Sequence, residues 1–316
     1  MNEKTKCLDS GDQELKKINP LQHRLILSRK EWLRTYIFFV FLLPIRILLQ
    51  VPIHIIFYIF LKIGMFNLSE EDLSSKPIDS SWRNFSKTLL AFLGRMIARI
   101  YGFRVSIKGQ IAPKEEAPIL VIGPHTSLFD GPIVGWWCNA PSVVVLGMFS
   151  NLKFYGTMMS FFQYIALDRN DEKSRGNAEK EILKRTNNSD RRWPQIAIFP
   201  EGVRSNGKAL MDFKTGAFKP GKSVQPVLLR FKNEIDTITS DRSCPCLGIL
   251  TTICQPVTRV EIQYLPVYQP SIEEQMDAKL FANNVREVMA TELDLPTSEM
   301  KFAEAKRELE LKRYWS

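Results

Sequence analysis

The chain has 316 residues, of which 45% are apolar and 24% charged, so it can bury a sizeable core and is not a disordered segment. The formal net charge of +9 favours an anionic partner, such as a phospholipid surface, a nucleotide-bearing cofactor or nucleic acid. No zinc-finger, RRM or heptad pattern accompanies this charge, so nucleic acid ranks last, and the five cysteines, which lack C-x-x-C spacing, are expected to be free thiols.

Residues 1–34 form a polar, basic N-terminal tail. No apolar run follows a basic start, so no cleavable signal peptide is expected, and residues 1–25 are expected to be disordered. Basic side chains gather immediately before the next segment and predict a cytosolic N-terminus: His23, Arg24, Arg29, Lys30 and Arg34.

Residues 35–66 are the most hydrophobic stretch, and their length predicts a membrane-embedded segment. Arg46 interrupts it, and a charge at the centre of a span costs about 2.5 to 3.5 kcal/mol on insertion scales. Pro44 and Pro52 would kink a helix. We therefore expect a re-entrant hairpin that bends near Pro52 and keeps both flanks in the cytosol. A single tilted span and a buried core helix are the alternatives.

Residues 67–103 comprise a polar connector and a helical pattern at residues 88–103. Arg95 and Arg99 lie among the apolar residues of this pattern, which is typical of an amphipathic helix at the level of the lipid headgroups. An ordinary helix packed on the folded domain fits the pattern equally well.

From residue 104 onward, short apolar runs alternate with helical patterns, such as the one at residues 175–186. The alternation predicts an α/β fold, with a single domain around a mixed sheet over residues 104–295. Two charged stretches, residues 278–295 and 300–314, are predicted helices on an outer, solvated face, and residues 296–316 form a separate charged C-terminal helix. The predicted strands are residues 104–108, 119–122, 143–146, 163–167, 195–199, 224–231 and 259–265.

A histidine and an aspartate follow the second predicted strand. Gly123 and Pro124 end this strand just before His125, and Asp130 lies five residues further on. On a regular helix this spacing would separate the two side chains by about 140°, so a turn must bring them together. A carboxylate on one imidazole nitrogen leaves the other free to take a proton from a hydroxyl. The pair alone is weak support for catalysis, because the Ser and Thr between the two residues could equally be helix caps.

The loop after the fifth predicted strand, with the sequence PEGVRSNG, places Glu201 and Arg204 among glycines. Such a loop can hold a phosphate, because Arg offers a planar set of donors and glycine permits close backbone approach. A third strand exit carries Arg169. These three loops are expected to converge at one edge of the sheet.

Four blocks in order resemble the motifs of the glycerophospholipid (acylglycerol-phosphate) acyltransferases: HTSLFD, which fits H-x-x-x-x-D, then IALDR, FPEGVRSNG and VQPVLLRF. The segments WPQIAIFPEG, SNGKALMDFKTGAF and VEIQYLPVYQPS are most similar to the lysophosphatidylcholine acyltransferases of that family. Two positions depart from these closer relatives: Val203 stands where they have Thr, and Asp168 where they usually have Ser.

The resemblance implies that residues 104–295 are an acyltransferase domain, with His125 as the general base and Asp130 as the residue that orients it. The residues implied to bind substrate are Arg169, Glu201, Gly202, Val203 and Arg204. Acyl-CoA is the implied co-substrate, and no metal or further cofactor is expected. Two further groups of residues could bind substrate or have an ordinary structural role. Lys208, Lys214, Lys219 and Lys222 could meet the CoA phosphates or be a solvated basic face, and Trp136 and Trp137 could contact a choline group or simply pack.

The implied reaction transfers an acyl group to the free hydroxyl of lysophosphatidylcholine on the endoplasmic reticulum membrane, with the Golgi and lipid droplets as alternative locations. One rival is an acylglycerol-phosphate acyltransferase that makes phosphatidic acid. Transfer of an acetyl group to an ether lysolipid is a narrower variant. The rival of a different class is a catalytically silent relative that binds lipid. Acyl-chain preference, oligomeric state and the membrane face of the site stay open.

Overall fold

The structure is a computed structural model that describes residues 19–23, 25–147, 153–168, 170–187, 192–239 and 245–314. Its helices are α1 (Arg29–Met65), α2 (Glu70–Ser75), α3 (Ser81–Ile100), α4 (Asp130–Trp137), α5 (Lys153–Phe161), α6 (Glu172–Asn187), α7 (Pro245–Ile253), α8 (Ile272–Met276), α9 (Ala278–Leu293) and α10 (Phe302–Tyr314). Its strands are β1 (Phe103–Lys108), β2 (Ile119–Gly123), β3 (Ser142–Leu146), β4 (Ile165–Leu167), β5 (Ile196–Ile198), β6 (Val224–Phe231) and β7 (Thr258–Tyr264).

The strands form one mixed sheet in the order β1-β7-β6-β2-β5-β3-β4. Neighbouring strands are parallel except β6 and β7, which are antiparallel. All seven predicted strands are present and the predicted mixed α/β fold is confirmed. Because β2 and β5 are parallel neighbours, their carboxyl ends lie side by side, and the loops that follow them meet at one edge of the sheet.

The strand β2 lies at the centre of the core and is buried along its whole length. Its alternate side chains point to opposite faces, as strand geometry requires. Ile119 and Val121 pack with residues of α6 and α9 on one face, whereas Leu120 and Ile122 pack with residues of α3 and α4 on the other. Helices therefore cover the sheet on both sides, and the backbone that precedes His125 is held rigidly.

The helix α9 does not form the solvated face that its charges predicted. Phe281, Val285 and Met289 recur every four residues and are fully buried in the core against the sheet. This spacing places an apolar stripe along one side of the helix, while the charged residues occupy the other.

The helix α1 is continuous through Pro44 and Pro52, so the expected bend at Pro52 is not present. By length and composition, α1 is long and apolar enough to cross a membrane. One side of the helix, however, packs on the rest of the protein through residues on both sides of Pro52, so both halves are attached to the domain. The buried residues on that side are Thr35, Leu43, Arg46, Gln50, Phe57, Leu61 and Gly64.

Arg46 is 5% exposed and bonds to backbone carbonyls rather than facing lipid. Its guanidinium donates to the carbonyl oxygens of Ile253 at 2.5 Å and Gln255 at 2.7 Å, and to that of Pro256 at 3.0 Å. These carbonyls lie at the end of α7 and just beyond it. The charge that interrupts the hydrophobic segment is thus the point at which α1 attaches to the folded domain.

The helix α3 packs on the folded domain, as one interpretation of the amphipathic pattern predicted, and its position at the lipid headgroups stays a prediction. One side of α3 packs against α1 and α4, where Gly94 faces the indole of Trp136. The same helix exposes Trp82, Phe85 and Phe92. Trp136 is therefore a packing residue between two helices.

Candidate active site

The predicted turn between His125 and Asp130 is present. The strand β2 ends at Gly123, the Gly123–Pro124 peptide bond is cis, and Asp130 is the first residue of α4. Nδ1 of His125 lies 2.7 Å from Oδ2 of Asp130. The two side chains therefore meet as the spacing required, and their catalytic roles stay predictions.

Asp130 is fully buried, and its Oδ2 atom also accepts the backbone N–H groups of Thr126 at 2.8 Å and Ser127 at 2.9 Å. An oxygen that accepts two N–H groups is an acceptor towards the imidazole as well, so Nδ1 of His125 carries the proton and Nε2 is the basic nitrogen. Thr126 and Ser127, which lie between His125 and Asp130, thus bind the carboxylate through their backbone N–H groups. The imidazole also packs on the ring of Phe199, with the ring centroids 4.4 Å apart.

The loop after β5 holds the backbone of His125 on both sides. Glu201 accepts the N–H of His125 at 2.7 Å through Oε1, and the N–H of Met211 at 3.1 Å through Oε2. The N–H of Ser205 donates to the carbonyl of His125 at 2.7 Å. Burial raises the pKa of Glu201 to about 7, while the hydrogen bonds from the two backbone amides oppose the rise. Glu201 thus links the backbone of His125 to Met211, at the far end of the loop that follows β5.

The other residues predicted to bind substrate differ in their surroundings. Val203 is buried in an apolar cluster with Leu21 and Met211. Arg204 is half-buried, and although burial lowers the pKa of its guanidinium, the nearby charge of Asp130 opposes that effect. The side chains of Glu201 and Val203 are buried, whereas Gly202 and Arg204 are partly exposed. Substrate contact by these four residues stays a prediction.

Arg169 lies outside the described residues, so its predicted role has no structural counterpart here. The strand before it, β4, is separated from β2 by β5 and β3, which is about 14 Å across the sheet. Asp168, at the end of β4, is exposed and accepts the backbone N–H of Asn170 at 3.0 Å. It therefore supports a local turn.

The four lysines after this loop, Lys208, Lys214, Lys219 and Lys222, are all exposed. Lys219 is paired with Glu179 at 2.6 Å. The cysteines Cys138, Cys246 and Cys254 are free thiols, whereas Cys7 and Cys244 lie outside the described residues.

Sequence reasoning missed several residues of the site. Phe199, Ser205 and Gly207 belong to the quoted block FPEGVRSNG, but nothing in their composition showed that they contact the histidine loop. Gly207 has a φ of +70°, and a Cβ there would lie 3.0 Å from the methyl group of Thr126, so this close approach needs glycine. Residues 19–23 also reach this region, although they were expected to be disordered.

The structure thus places a buried carboxylate on one imidazole nitrogen at the exit of the central strand of an α/β domain. Residues 104–230 match the family model described as Acyltransferase. This part of the chain belongs to the acyltransferase family, and the resemblance inferred from the four motifs is confirmed. The matched residues lie inside the predicted domain at 104–295, whose limits stay a prediction.

The chain is similar to curated proteins along most of its length. It is 41% identical over 291 residues to the lysophosphatidylcholine acyltransferase of Drosophila melanogaster, covering 90% of this chain and 54% of the relative. It is 38% identical over 269 residues to human lysophosphatidylcholine acyltransferase 2, covering 84% of this chain and 49% of the relative. The chain thus spans about half the length of the curated relatives it matches.

Among solved structures, the fold is similar to that of the 1-acyl-sn-glycerophosphate acyltransferase PlsC from Thermotoga maritima. The TM-score is 0.55 with 16% sequence identity, and the match covers 84% of this chain and 96% of PlsC. At this identity the match supports the fold alone.

Proposed function

We propose that this protein transfers an acyl group from acyl-CoA to the free glycerol hydroxyl of a lysophospholipid, with lysophosphatidylcholine as the preferred acceptor. The observation that carries the proposal is the 2.7 Å contact between Nδ1 of His125 and Oδ2 of Asp130, which makes Nε2 the basic nitrogen. The choice of acceptor rests on two relatives, 38–41% identical to this chain, that are lysophosphatidylcholine acyltransferases.

In this reaction, Nε2 of His125 takes the proton of the lysolipid hydroxyl while the hydroxyl oxygen attacks the thioester carbonyl. The new C–O ester bond forms and the C–S bond breaks. The proton then passes from the imidazolium to the departing sulfur, and the products are a diacyl phospholipid and free CoA. A positioned base of this kind contributes roughly 10² to 10⁴ in rate. Arg204 places the phosphate of the acceptor, since its guanidinium is near enough to Asp130 for the charge of that carboxylate to oppose the fall that burial causes in its pKa, and an Arg matches phosphate geometry.

The acceptor lipid is held in the membrane, and α1 attaches the protein to that membrane. The helix is about 55 Å long, and its exposed side is almost entirely apolar, as at Phe41 and Leu48, while Arg46 and Gln50 face the protein. Because the buried side is packed on the domain along most of the helix, α1 lies in one leaflet and both of its ends stay in the cytosol, where acyl-CoA is available.

If both ends lie in the cytosol, protease added to sealed microsomes without detergent should remove a tag from either end of the chain. Survival of the C-terminal tag would contradict it. The compartment we propose is the endoplasmic reticulum, with the Golgi and lipid droplets as alternatives that imaging of the tagged chain distinguishes.

The activity is tested by incubating membranes that contain the wild type with labelled acyl-CoA and a panel of lysophospholipids. We expect product from lysophosphatidylcholine, and His125→Ala should lower its rate by roughly 10² to 10⁴. His54→Ala is the matched control, because His54 is exposed on α1. Product from lysophosphatidate alone would establish the enzyme that makes phosphatidic acid, and no transfer to any acceptor would leave a silent, lipid-binding protein.

A further inference from the structure

Part of the N-terminal segment is docked against the active-site loop. Leu21 is 3% exposed and packs with Val203 and Met211 of that loop and with Ala305 of α10. Only a few residues further along the chain, Ile26 is 81% exposed. Burial is therefore confined to residues 19–21 in this part of the chain, since Gln22 is already exposed.

Hydrogen bonds join the same segment to Asn206. The backbone N–H of Asn206 donates to the carbonyl of Pro20 at 2.7 Å, and its side-chain amide donates to the carbonyls of Asn19 and Gln22, both at 3.1 Å. Asn19 in turn donates to the carbonyl of Ala305 at 2.7 Å. Asn206 is 7% exposed, so these bonds are shielded from water.

The segment touches the loop at the points from which the loop holds His125. Asn206 directly follows Ser205, whose N–H binds the carbonyl of His125. Met211, which packs on Leu21, donates its N–H to the carboxyl that also accepts the N–H of His125. These hydrogen bonds and apolar contacts join residues 19–22 to the active-site loop and to α10, so their effect on catalysis passes through the loop.

We infer that residues 19–22 and Asn206 are positioning elements for His125, and that the N-terminal segment is an essential part of the active site of the acyltransferase proposed above. Without the docked segment, the loop from Glu201 to Met211 loses an apolar contact and three hydrogen bonds. The backbone of His125 is then held less firmly, and Nε2 spends less time in line with the hydroxyl. A misplacement of about 1 Å can cost up to a hundredfold in rate.

The test uses the full chain with three substitutions. Leu21→Ala removes the apolar contact, and Ile26→Ala is its matched control, since it removes similar atoms from an exposed site. Asn206→Asp keeps an acceptor for the N–H of Lys208, which lies 3.1 Å from Oδ1, but it loses both bonds donated by the amide.

We expect Leu21→Ala and Asn206→Asp each to lower kcat roughly tenfold, with the KM for acyl-CoA unchanged within about twofold. Their double variant should be no slower than the slower single variant, because both break the same contact. Ile26→Ala should match the wild type. A wild-type kcat in Leu21→Ala and Asn206→Asp, or losses that multiply in the double variant, would overturn the inference.

Hydrogen exchange tests the docking without any substrate. The amides of Ser205 and Asn206 should exchange at least tenfold faster in Leu21→Ala, while those of β6 stay as slow as in the wild type. If faster exchange in β6 shows that Leu21→Ala is unfolded, the milder Leu21→Val replaces it. Unchanged exchange at Ser205 and Asn206 would refute the docking. If the wild type transfers no acyl group while exchange responds as expected, the proposed function fails and the docking stands.

Discussion

A methyl group added at Gly94 tests how closely α3 packs on α4, the helix that begins with Asp130. A Cβ at Gly94 would lie 2.5 Å from Cε2 and Nε1 of Trp136 and 2.6 Å from Cδ2. Carbon atoms in contact normally lie about 3.5 to 4.0 Å apart, so the indole must move by about 1 Å. Overpacking of this kind costs about 1–3 kcal/mol.

The matched control is Gly135→Ala on α4, because nothing lies within 4 Å of a Cβ at that position. Both substitutions gain about 1 kcal/mol of helix propensity, so the difference between the two variants isolates the packing cost of about 1–3 kcal/mol.

Thermal unfolding of both variants in the same detergent measures this difference. We expect Gly94→Ala to melt about 1.5–4.5 °C below Gly135→Ala, since an unfolding entropy of about 2.1 cal/mol/K per residue makes 1 kcal/mol worth about 1.5 °C in a chain of 316 residues. We also expect a lower kcat in Gly94→Ala alone, because the displaced indole pushes on the helix that starts at Asp130. Equal melting temperatures would refute the close packing of the two helices.

Three further predictions concern stability. The pKa of Glu201 is raised by burial from 4.5 to about 7, so the folded carboxyl keeps a proton that the unfolded one has lost. The contribution of Glu201 to the free energy of unfolding should therefore fall by about 3 kcal/mol as the pH rises from 4.5 to 7, so in denaturant titrations the stability of the wild type relative to Glu201→Gln should fall by about that amount between the two pH values. Arg46→Leu should destabilise the protein in detergent by about 2–4 kcal/mol, although leucine is more hydrophobic than arginine, because the carbonyls at the end of α7 and beyond it lose a charged donor. A melting temperature equal to or above that of the wild type would contradict this. Phe281→Ala should cost about 3–5 kcal/mol, whereas Val288→Ala, at a position 42% exposed on the same helix, should change little.

The features that could be predicted from sequence are those encoded locally. Each strand was visible as a short apolar run, and the Gly123–Pro124 break placed His125 at a strand exit. The five-residue spacing to Asp130 required a turn, and the turn is present because two backbone amides hold the carboxylate beside the imidazole. The prediction for α9 was wrong although its signal is also local. The four-residue spacing of Phe281, Val285 and Met289 encodes a buried stripe, whereas the charges of the helix favoured a solvated face.

The features that could not be predicted depend on partners far along the chain. Arg46 looked costly in a hydrophobic segment, but its cost is removed by the carbonyl of Gln255, 209 residues away. Asn19 looked like part of a disordered tail, but its side chain bonds to the carbonyl of Ala305, 286 residues away. In both cases a polar side chain marks the place where an N-terminal segment is fixed to a distant part of the chain. A polar residue that contradicts its local context therefore points to a tertiary contact, and its partner becomes visible only when the sheet has brought distant parts of the chain together.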